Sequence, residues 1–152
     1  MSIHIGCSSW SYSSSIAKGG WTKIFYPDHK TKKLQFYSQF FNTVEMDATF
    51  YEKLYKYMTK ETFVSISRAT PTNFQFSVKV PETITHDKGL DVNKGAINNL
   101  EEFLEKISPL KISNKLGAVI IQLPPSFTVK EFRNIEEFLD RLPNGYDFAV
   151  EF

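Results

Sequence analysis

A short apolar segment that ends in a polar residue occurs five times along this chain, at 3–9, 43–47, 74–79, 118–122 and 147–151. Helical patterns separate the five segments, so the order predicts alternating strands and helices and a parallel sheet. Parallel α/β proteins carry their chemistry at the carboxyl ends of the strands. We therefore expect a polar site at this edge of the sheet. The residues that end four of the strands are Glu45, Lys79, Gln122 and Glu151.

The spacing of the strand patterns indicates a barrel-like arrangement that is incomplete. A complete (β/α)₈ barrel needs about 250 residues, and this chain has 152. The predicted fold is α/β and TIM-barrel-like, with about five parallel strands and four helical connections. We expect residues 1–152 to form a single, truncated domain, because no shift in composition marks a linker. Helices are predicted at 32–41, 53–68, 97–110 and 129–142, a first strand at 3–6, and long loops at 7–29 and 81–94.

Alternation along each predicted strand separates an apolar face from a polar face. In the third strand Phe76 and Val78 share one face, and Ser77 and Lys79 share the other. Helices would cover the apolar face, and the polar face would line the inside of a barrel. Charges placed there need partners or a ligand. Two interpretations follow: a pocket at the mouth of the barrel, which we favour, or an internal network of salt bridges among Glu45, Lys79 and Glu151.

Charge and cysteine content narrow the class of protein. The chain carries 18 basic and 17 acidic side chains, and nucleic-acid binders usually show a basic excess, so a nucleic-acid partner is not expected. One cysteine excludes an internal disulfide and fits a reducing compartment. The start of the chain lacks a signal-peptide pattern, and no apolar run reaches the roughly 18 residues of a membrane span. We therefore expect a cytoplasmic protein without a membrane partner.

Several motifs resemble those of a known family. They are Gly6-Cys-Ser-Ser-Trp10 with Tyr12, Phe25-Tyr-Pro27, Phe41-Asn-Thr-Val-Glu45 with Thr49-Phe-Tyr51, Thr70-Pro71 with Phe74, Ile84-Thr-His86, Lys115-Leu-Gly117, Gln122-Leu-Pro-Pro125 and Val150-Glu-Phe152. In this order they resemble the YecE-like family, known as domain of unknown function 72. The resemblance implies a TIM-barrel-like fold that continues past Phe152, and it supplies no reaction. The sequence departs from the family at Ser9, where a glycine is common.

The strand-end residues suggest acid/base chemistry. Glu45 and Glu151 would form the proton-transfer pair, because two carboxylates in a partly desolvated pocket can hold different pKa values. Lys79 would stabilise negative charge as it develops, and Gln122 would orient the ligand by hydrogen bonds. A Schiff base on Lys79 is less favoured, because neighbouring carboxylates would keep it protonated.

A metal site is possible but not favoured, and no cofactor is evident. Glu45 and Glu151 with His4 or His86 would suit zinc or manganese, but their spacing matches no compact ligand motif. Instead, His86 is predicted to bind substrate or shuttle a proton, with a local hydrogen bond in a loop as the alternative.

Aromatic residues near the predicted mouth of the barrel have two interpretations. A substrate-binding role, by stacking on a sugar ring, is predicted for Trp10, Tyr12, Trp21 and Tyr26, and Tyr51 joins this set. Alternatively, the aromatic residues of the first loop form a small core that fixes the loop against the barrel.

Taken together, the residues favour an acid/base enzyme acting on a small polar, sugar-like metabolite, with the reaction unknown. The alternative is a non-catalytic or split-barrel fragment that needs self-association or a complementary chain, because open strand edges are a liability for a monomer. A nucleic-acid-binding module ranks third.

Overall fold

The computed structural model describes residues 3–12 and 18–152, which form five parallel strands in one open sheet. The strands are β1 Gly6–Ser8, β2 Thr43–Met46, β3 Gln75–Lys79, β4 Leu116–Gln122 and β5 Phe148–Glu151. Each strand pairs with the next strand along the chain, so the spatial order is β1-β2-β3-β4-β5. This confirms the predicted fold class, α/β with a TIM-barrel-like parallel sheet.

In the described part of the chain, the strands are connected by five α-helices: α1 Lys33–Tyr37, α2 Glu52–Tyr55, α3 Lys60–Arg68, α4 Ala96–Ile112 and α5 Phe132–Leu139. The prediction of a single helix at 53–68 is wrong, because two helices, α2 and α3, occupy this region. Thr59 is extended at the boundary and forms a capping box with Thr62, and this arrangement starts a new helix. The predicted loop 81–94 contains a π-helical turn at Thr83–Asp87 and a 3₁₀ turn at Val92–Lys94.

The first strand begins later than the predicted 3–6. The backbone N–H of Ile5 donates to Asn42 Oδ1 at 2.7 Å, and Asn42 Nδ2 donates to the Ile3 carbonyl at 2.9 Å. An amide side chain therefore takes the place of a neighbouring strand at this point, and ladder pairing starts only at Gly6. A side chain at Gly6 has no room, because a Cβ there would lie 2.0 Å from the Thr43 carbonyl oxygen.

The hydroxyl of Tyr37 links β1 to β2 through hydrogen bonds to both backbones. Its hydroxyl accepts from the Cys7 backbone N–H at 2.7 Å and donates to the Thr43 carbonyl at 3.0 Å. The ring is fully buried and stacks on Phe41. Burial raises the pKa of this phenol, so the hydroxyl keeps its proton into the alkaline range.

Alternation divides the sheet into two faces, as predicted. The outward face is buried under the helices and supplies Val44, Met46, Phe76, Val78, Val119 and Ile121 to the core. Phe63 from α3 and Phe103 from α4 complete this core and are also fully buried. The opposite face carries Glu45, Ser77 and Lys79, which are half-buried. Within the described residues, no helix has the length and apolar character needed to cross a membrane.

Candidate functional site

The ammonium group of Lys79 is the centre of a cluster at the carboxyl ends of the strands. Its Nζ lies 3.0 Å from Glu45 Oε1 and 3.8 Å from Glu151 Oε2, and it donates to Gln122 Oε1 at 3.1 Å. The structure thus brings together all four residues predicted from the strand ends. The sheet register explains the contact, because neighbouring parallel strands end at the same edge.

Asp47 and Ser8 belong to the same cluster and were not among the predicted site residues. Asp47 Oδ1 lies 3.4 Å from Lys79 Nζ. The Ser8 hydroxyl faces both Asp47 Oδ2, at 2.7 Å, and Glu45 Oε1, at 3.1 Å. The sequence did contain a signal for Asp47. It lies two positions after Glu45, and side chains two positions apart along a strand lie on the same face.

Thr49 fixes the backbone beneath the cluster. It lies in a 3₁₀ turn, Asp47–Thr49, that directly follows β2. Its buried hydroxyl lies 2.8 Å from the Met46 carbonyl and 2.8 Å from the Lys79 carbonyl. This side chain therefore ties the end of β2 to the end of β3 and holds Asp47 and Lys79 in register.

Burial and charge act on Lys79 in opposite directions. The side chain is 12% exposed, and burial alone would lower its pKa. The hydrogen bond to Glu45 and the charges of Glu45, Asp47 and Glu151 outweigh that effect, so the pKa of Lys79 lies above its usual value. Lys79 is therefore an ammonium ion at neutral pH and is unsuited to Schiff-base formation.

The cluster borders an open cavity on the inner face of the sheet. This cavity has a volume of about 300 Å³ and is lined by His4, Gly6, Cys7, Ser8, Thr43, Glu45 and Ser77. The two interpretations of the polar face are compatible, because Glu45 both pairs with Lys79 and lines a space open to ligands. The cavity would admit a small polar molecule beside Glu45.

The aromatic residues of the first loop pack mainly against one another and the core. The rings of Tyr12 and Trp21 stack with centroids 4.3 Å apart, and Trp10 lies edge-on to Phe76 at 6.4 Å. The Tyr26 hydroxyl donates to the Trp10 carbonyl at 2.6 Å, and its ring is 1% exposed. These contacts favour the small core over stacking on a sugar, and substrate binding by these rings stays a prediction.

Tyr12 links the first loop to the cluster through the backbone. Its hydroxyl donates to the Ser8 carbonyl, and the Lys33 ammonium donates to the Tyr12 carbonyl at 2.8 Å. Burial, together with the nearby Cys7 and Asp47, raises the pKa of the Tyr12 phenol. The loop therefore supports the strand that carries Ser8.

Tyr51 and His86 both pack against the ring of Phe50. The Phe50 ring contacts Tyr51 at 5.3 Å and His86 at 5.1 Å, both edge to face. His86 Nδ1 lies 2.8 Å from the Thr85 hydroxyl, which is the local hydrogen bond considered as an alternative role. In the described part of the chain, neither side chain reaches hydrogen-bond distance of the Lys79 cluster. Their role toward substrate stays a prediction.

The metal alternative gains no support from the geometry. Over residues 3–12 and 18–152, no group of three or more histidine, cysteine or acidic side chains is arranged to hold a metal ion. Glu45 and Glu151 instead face the Lys79 ammonium.

Comparison with known proteins supplies the family. Residues 4–152 match the family described as "Protein of unknown function DUF72". The chain belongs to this family. The DUF72 assignment confirms the resemblance found in the sequence motifs and names no activity.

The curated relatives that match are about twice as long as this chain. The UPF0759 protein YecE of Escherichia coli (strain K12) is 30% identical over 149 residues, which cover 98% of this chain and 47% of YecE. The UPF0759 protein YunF of Bacillus subtilis (strain 168) is 34% identical over 132 residues, covering 85% of this chain and 42% of YunF. The chain therefore spans about half the length of the curated relatives it matches.

Two solved DUF72 structures share the fold. A DUF72 family protein from Thermotoga maritima MSB8 has a TM-score of 0.73 at 27% identity, covering 98% of this chain and 55% of that protein. A DUF72 family protein from Enterococcus faecalis V583 has a TM-score of 0.67 at 24% identity, covering 97% of this chain and 49% of that protein.

Proposed function

We propose that the Lys79 cluster is part of a site for acid/base chemistry on a small polar, sugar-like metabolite. The observation that carries the proposal is the position of the Lys79 ammonium, within 4 Å of carboxylates from two different strands, at the carboxyl edge of the sheet. This edge is where parallel α/β folds carry catalysis. The chain spans about half of its relatives, so the proposal concerns the part of the site that this chain contributes.

Each group of the cluster has a role that suits its environment. Glu45 and Glu151 transfer protons, since a positioned carboxyl can act as acid or base. Lys79 is held as an ammonium and stabilises negative charge that develops on the substrate. Gln122 accepts from Lys79 through Oε1, which leaves its NH₂ group to donate to a substrate oxygen. The proposal includes no cofactor. One cysteine per chain suits the cytoplasm as its compartment.

A metabolite screen tests the catalytic proposal. The chain is incubated with pools of neutral and charged sugars and related metabolites, and conversion is followed by mass spectrometry. We expect conversion by the wild type and a loss of about 100-fold or more in both Glu45→Gln and Glu151→Gln. Glu101→Gln is the matched control, because Glu101 is an exposed carboxylate on α4. Absence of conversion, or equal rates in all variants, would contradict the proposal.

A second candidate function is completion of the sheet by another chain. It is favoured by the outer strands, because among the described residues β1 pairs only with β2 and β5 only with β4. Apolar side chains are exposed beside these edges: Ile3 is 77%, Ile5 63% and Phe152 94% exposed. Open edges of this kind recruit further strands. The partner would be a copy of this chain or a separate chain that carries complementary strands.

Light scattering coupled to size exclusion tests this second candidate. We expect the mass to rise with protein concentration, and Ile5→Lys to reduce the association. Ile112→Lys is the matched control, because Ile112 is 83% exposed at the end of α4, away from the strand edges. A monomeric mass at every concentration, together with cooperative unfolding and no capture of a complementary chain, would exclude it.

A further inference from the structure

The positive and negative groups of the Lys79 cluster differ in their exposure. The side chain of Lys79 is 12% exposed, whereas those of Glu45, Asp47 and Glu151 are 31%, 32% and 51% exposed. One ammonium against three carboxylates also leaves these four side chains with a net negative charge. An approaching ligand therefore meets carboxylates at the surface, with the balancing cation beneath them.

The hydrogen bonds within the cluster also leave mainly negatively charged acceptor oxygens for a ligand. The Lys79 ammonium faces Glu45, Asp47 and Gln122, and the Ser8 hydroxyl faces two of the same carboxylates. Ionised carboxylates only accept hydrogen bonds. Within the cluster, the groups left for a ligand are thus mainly acceptor oxygens, and the NH₂ of Gln122 is a donor.

Among residues 3–12 and 18–152, Lys79 is the only lysine or arginine within 4.0 Å of the three carboxylates. Lys33, the lysine that contacts the first loop, donates to the Tyr12 carbonyl and lies 5.6 Å from the centre of the Tyr26 ring.

We infer that the ligand of this site carries a protonated amine together with hydroxyl groups, as amino sugars do, and that anionic metabolites such as sugar phosphates are rejected. The inference rests on the proposed function, because it specifies the substrate class of the same site. Charge-assisted hydrogen bonds from the amine to the exposed carboxylates provide the attraction. A phosphate at the same place would face like charges at close range.

Four probes that differ mainly in charge test the inference on the full 152-residue chain. Glucosamine, N-acetylglucosamine, glucose and glucose 6-phosphate are titrated at about pH 6.5, where amines and carboxylates are both ionised. The side-chain amide signal of Gln122 reports binding in two-dimensional NMR spectra. We expect glucosamine to bind at least about tenfold more tightly than glucose 6-phosphate, and added salt to reduce that ratio.

Substitution at the rim gives the decisive comparison. The wild type should bind glucosamine more tightly than N-acetylglucosamine. Glu151→Gln should reduce this preference, measured as the ratio of the two dissociation constants, and Glu101→Gln should leave it unchanged. If glucose 6-phosphate binds as tightly as glucosamine and this binding is lost in Lys79→Met, the site stands and the inferred ligand class is overturned. If no probe moves the Gln122 signal, the ligand class is also overturned. The proposed function is then decided separately by conversion in the metabolite screen.

Discussion

The hydroxyl of Thr49 lies 2.8 Å from the carbonyl oxygen of Lys79, although the two residues are 30 positions apart in the chain. Thr49 is fully buried, and its hydroxyl lies at the same distance from the Met46 carbonyl. This one hydroxyl therefore contacts the last residue of β2 and the last residue of β3. The position of Lys79, and with it the geometry of the carboxylate cluster, depends on a residue that does not itself reach the cluster.

Thr49→Val should lower stability, because it preserves shape while removing the hydroxyl that lies 2.8 Å from the carbonyl oxygens of Met46 and Lys79. We expect the free energy of unfolding to fall by about 1–3 kcal/mol. Urea unfolding measures the change, and Thr49→Ser, which keeps the hydroxyl, should recover most of it. Equal losses in the valine and serine variants would show that packing of the methyl group, rather than the hydrogen bond, is responsible.

Lys79→Met should make the free energy of unfolding depend on salt concentration. The substitution leaves Glu45, Asp47 and Glu151 close together without their shared cation. Because the cluster is partly exposed, we expect a moderate loss of about 1–3 kcal/mol at neutral pH. Salt screens the repulsion between these partly exposed charges, so the deficit should shrink as the ionic strength rises.

Urea unfolding of Lys79→Met and the wild type at several salt concentrations measures that deficit. Lys130→Met is the control, because Lys130 is exposed in the turn that precedes α5. A deficit that stays constant with salt concentration would contradict the electrostatic explanation.

Tyr26 should make the fold sensitive to alkali. Burial, followed by smaller effects of Tyr12 and Cys7, raises the pKa of Tyr26 to about 12 from the model-compound value of 10.0. The unfolded chain therefore releases this proton first, and the contribution of Tyr26 to stability is lost as the pH rises above 10.

Absorbance at the phenolate wavelength measures the ionisation of Tyr26, as the difference between wild type and Tyr26→Phe. We expect that difference to appear near pH 12, or together with unfolding if the fold opens earlier. Circular dichroism separates the two cases. A difference signal that is complete by pH 10 in folded protein would show that the phenol is not held in its buried state.

Gly6→Ala should displace the first strand. A Cβ at Gly6 would lie 2.0 Å from the Thr43 carbonyl oxygen, whereas a Cβ at Gly117 in β4 would have its nearest neighbour, Ser77 Oγ, at 3.3 Å. We expect a loss of about 3 kcal/mol or more for Gly6→Ala and a clearly smaller effect for Gly117→Ala. Thermal unfolding of both variants gives the comparison, and equal effects would contradict the close approach at Gly6.

The positions of Glu45, Lys79, Gln122 and Glu151 were predictable because they depend on two simple rules. Side chains alternate along a strand, and parallel strands end at one edge. The side chain of Ser8 was harder to place. Its contacts with the cluster require β1 to begin at Gly6, and that start depends on the Asn42 side chain binding residues 3 and 5.

The break between α2 and α3 was not predictable from periodicity, because the residues on both sides follow a helical pattern. The boundary depends instead on the extended backbone at Thr59 and its reciprocal bonding with Thr62. The first loop illustrates a different limit. Composition identified its aromatic residues, but only three-dimensional packing shows Tyr12 stacked on Trp21.

The consecutive order of the strands has a consequence for how the chain reaches its folded state. Paired residues such as Gly6 and Thr43, Thr43 and Gln75, and Val119 and Phe148 are separated by only about 30 to 40 positions. Each new strand docks on the one made just before it, so loop closure carries a similar, modest entropy cost at every step. The sheet can therefore grow in one direction while the chain is still emerging from the ribosome.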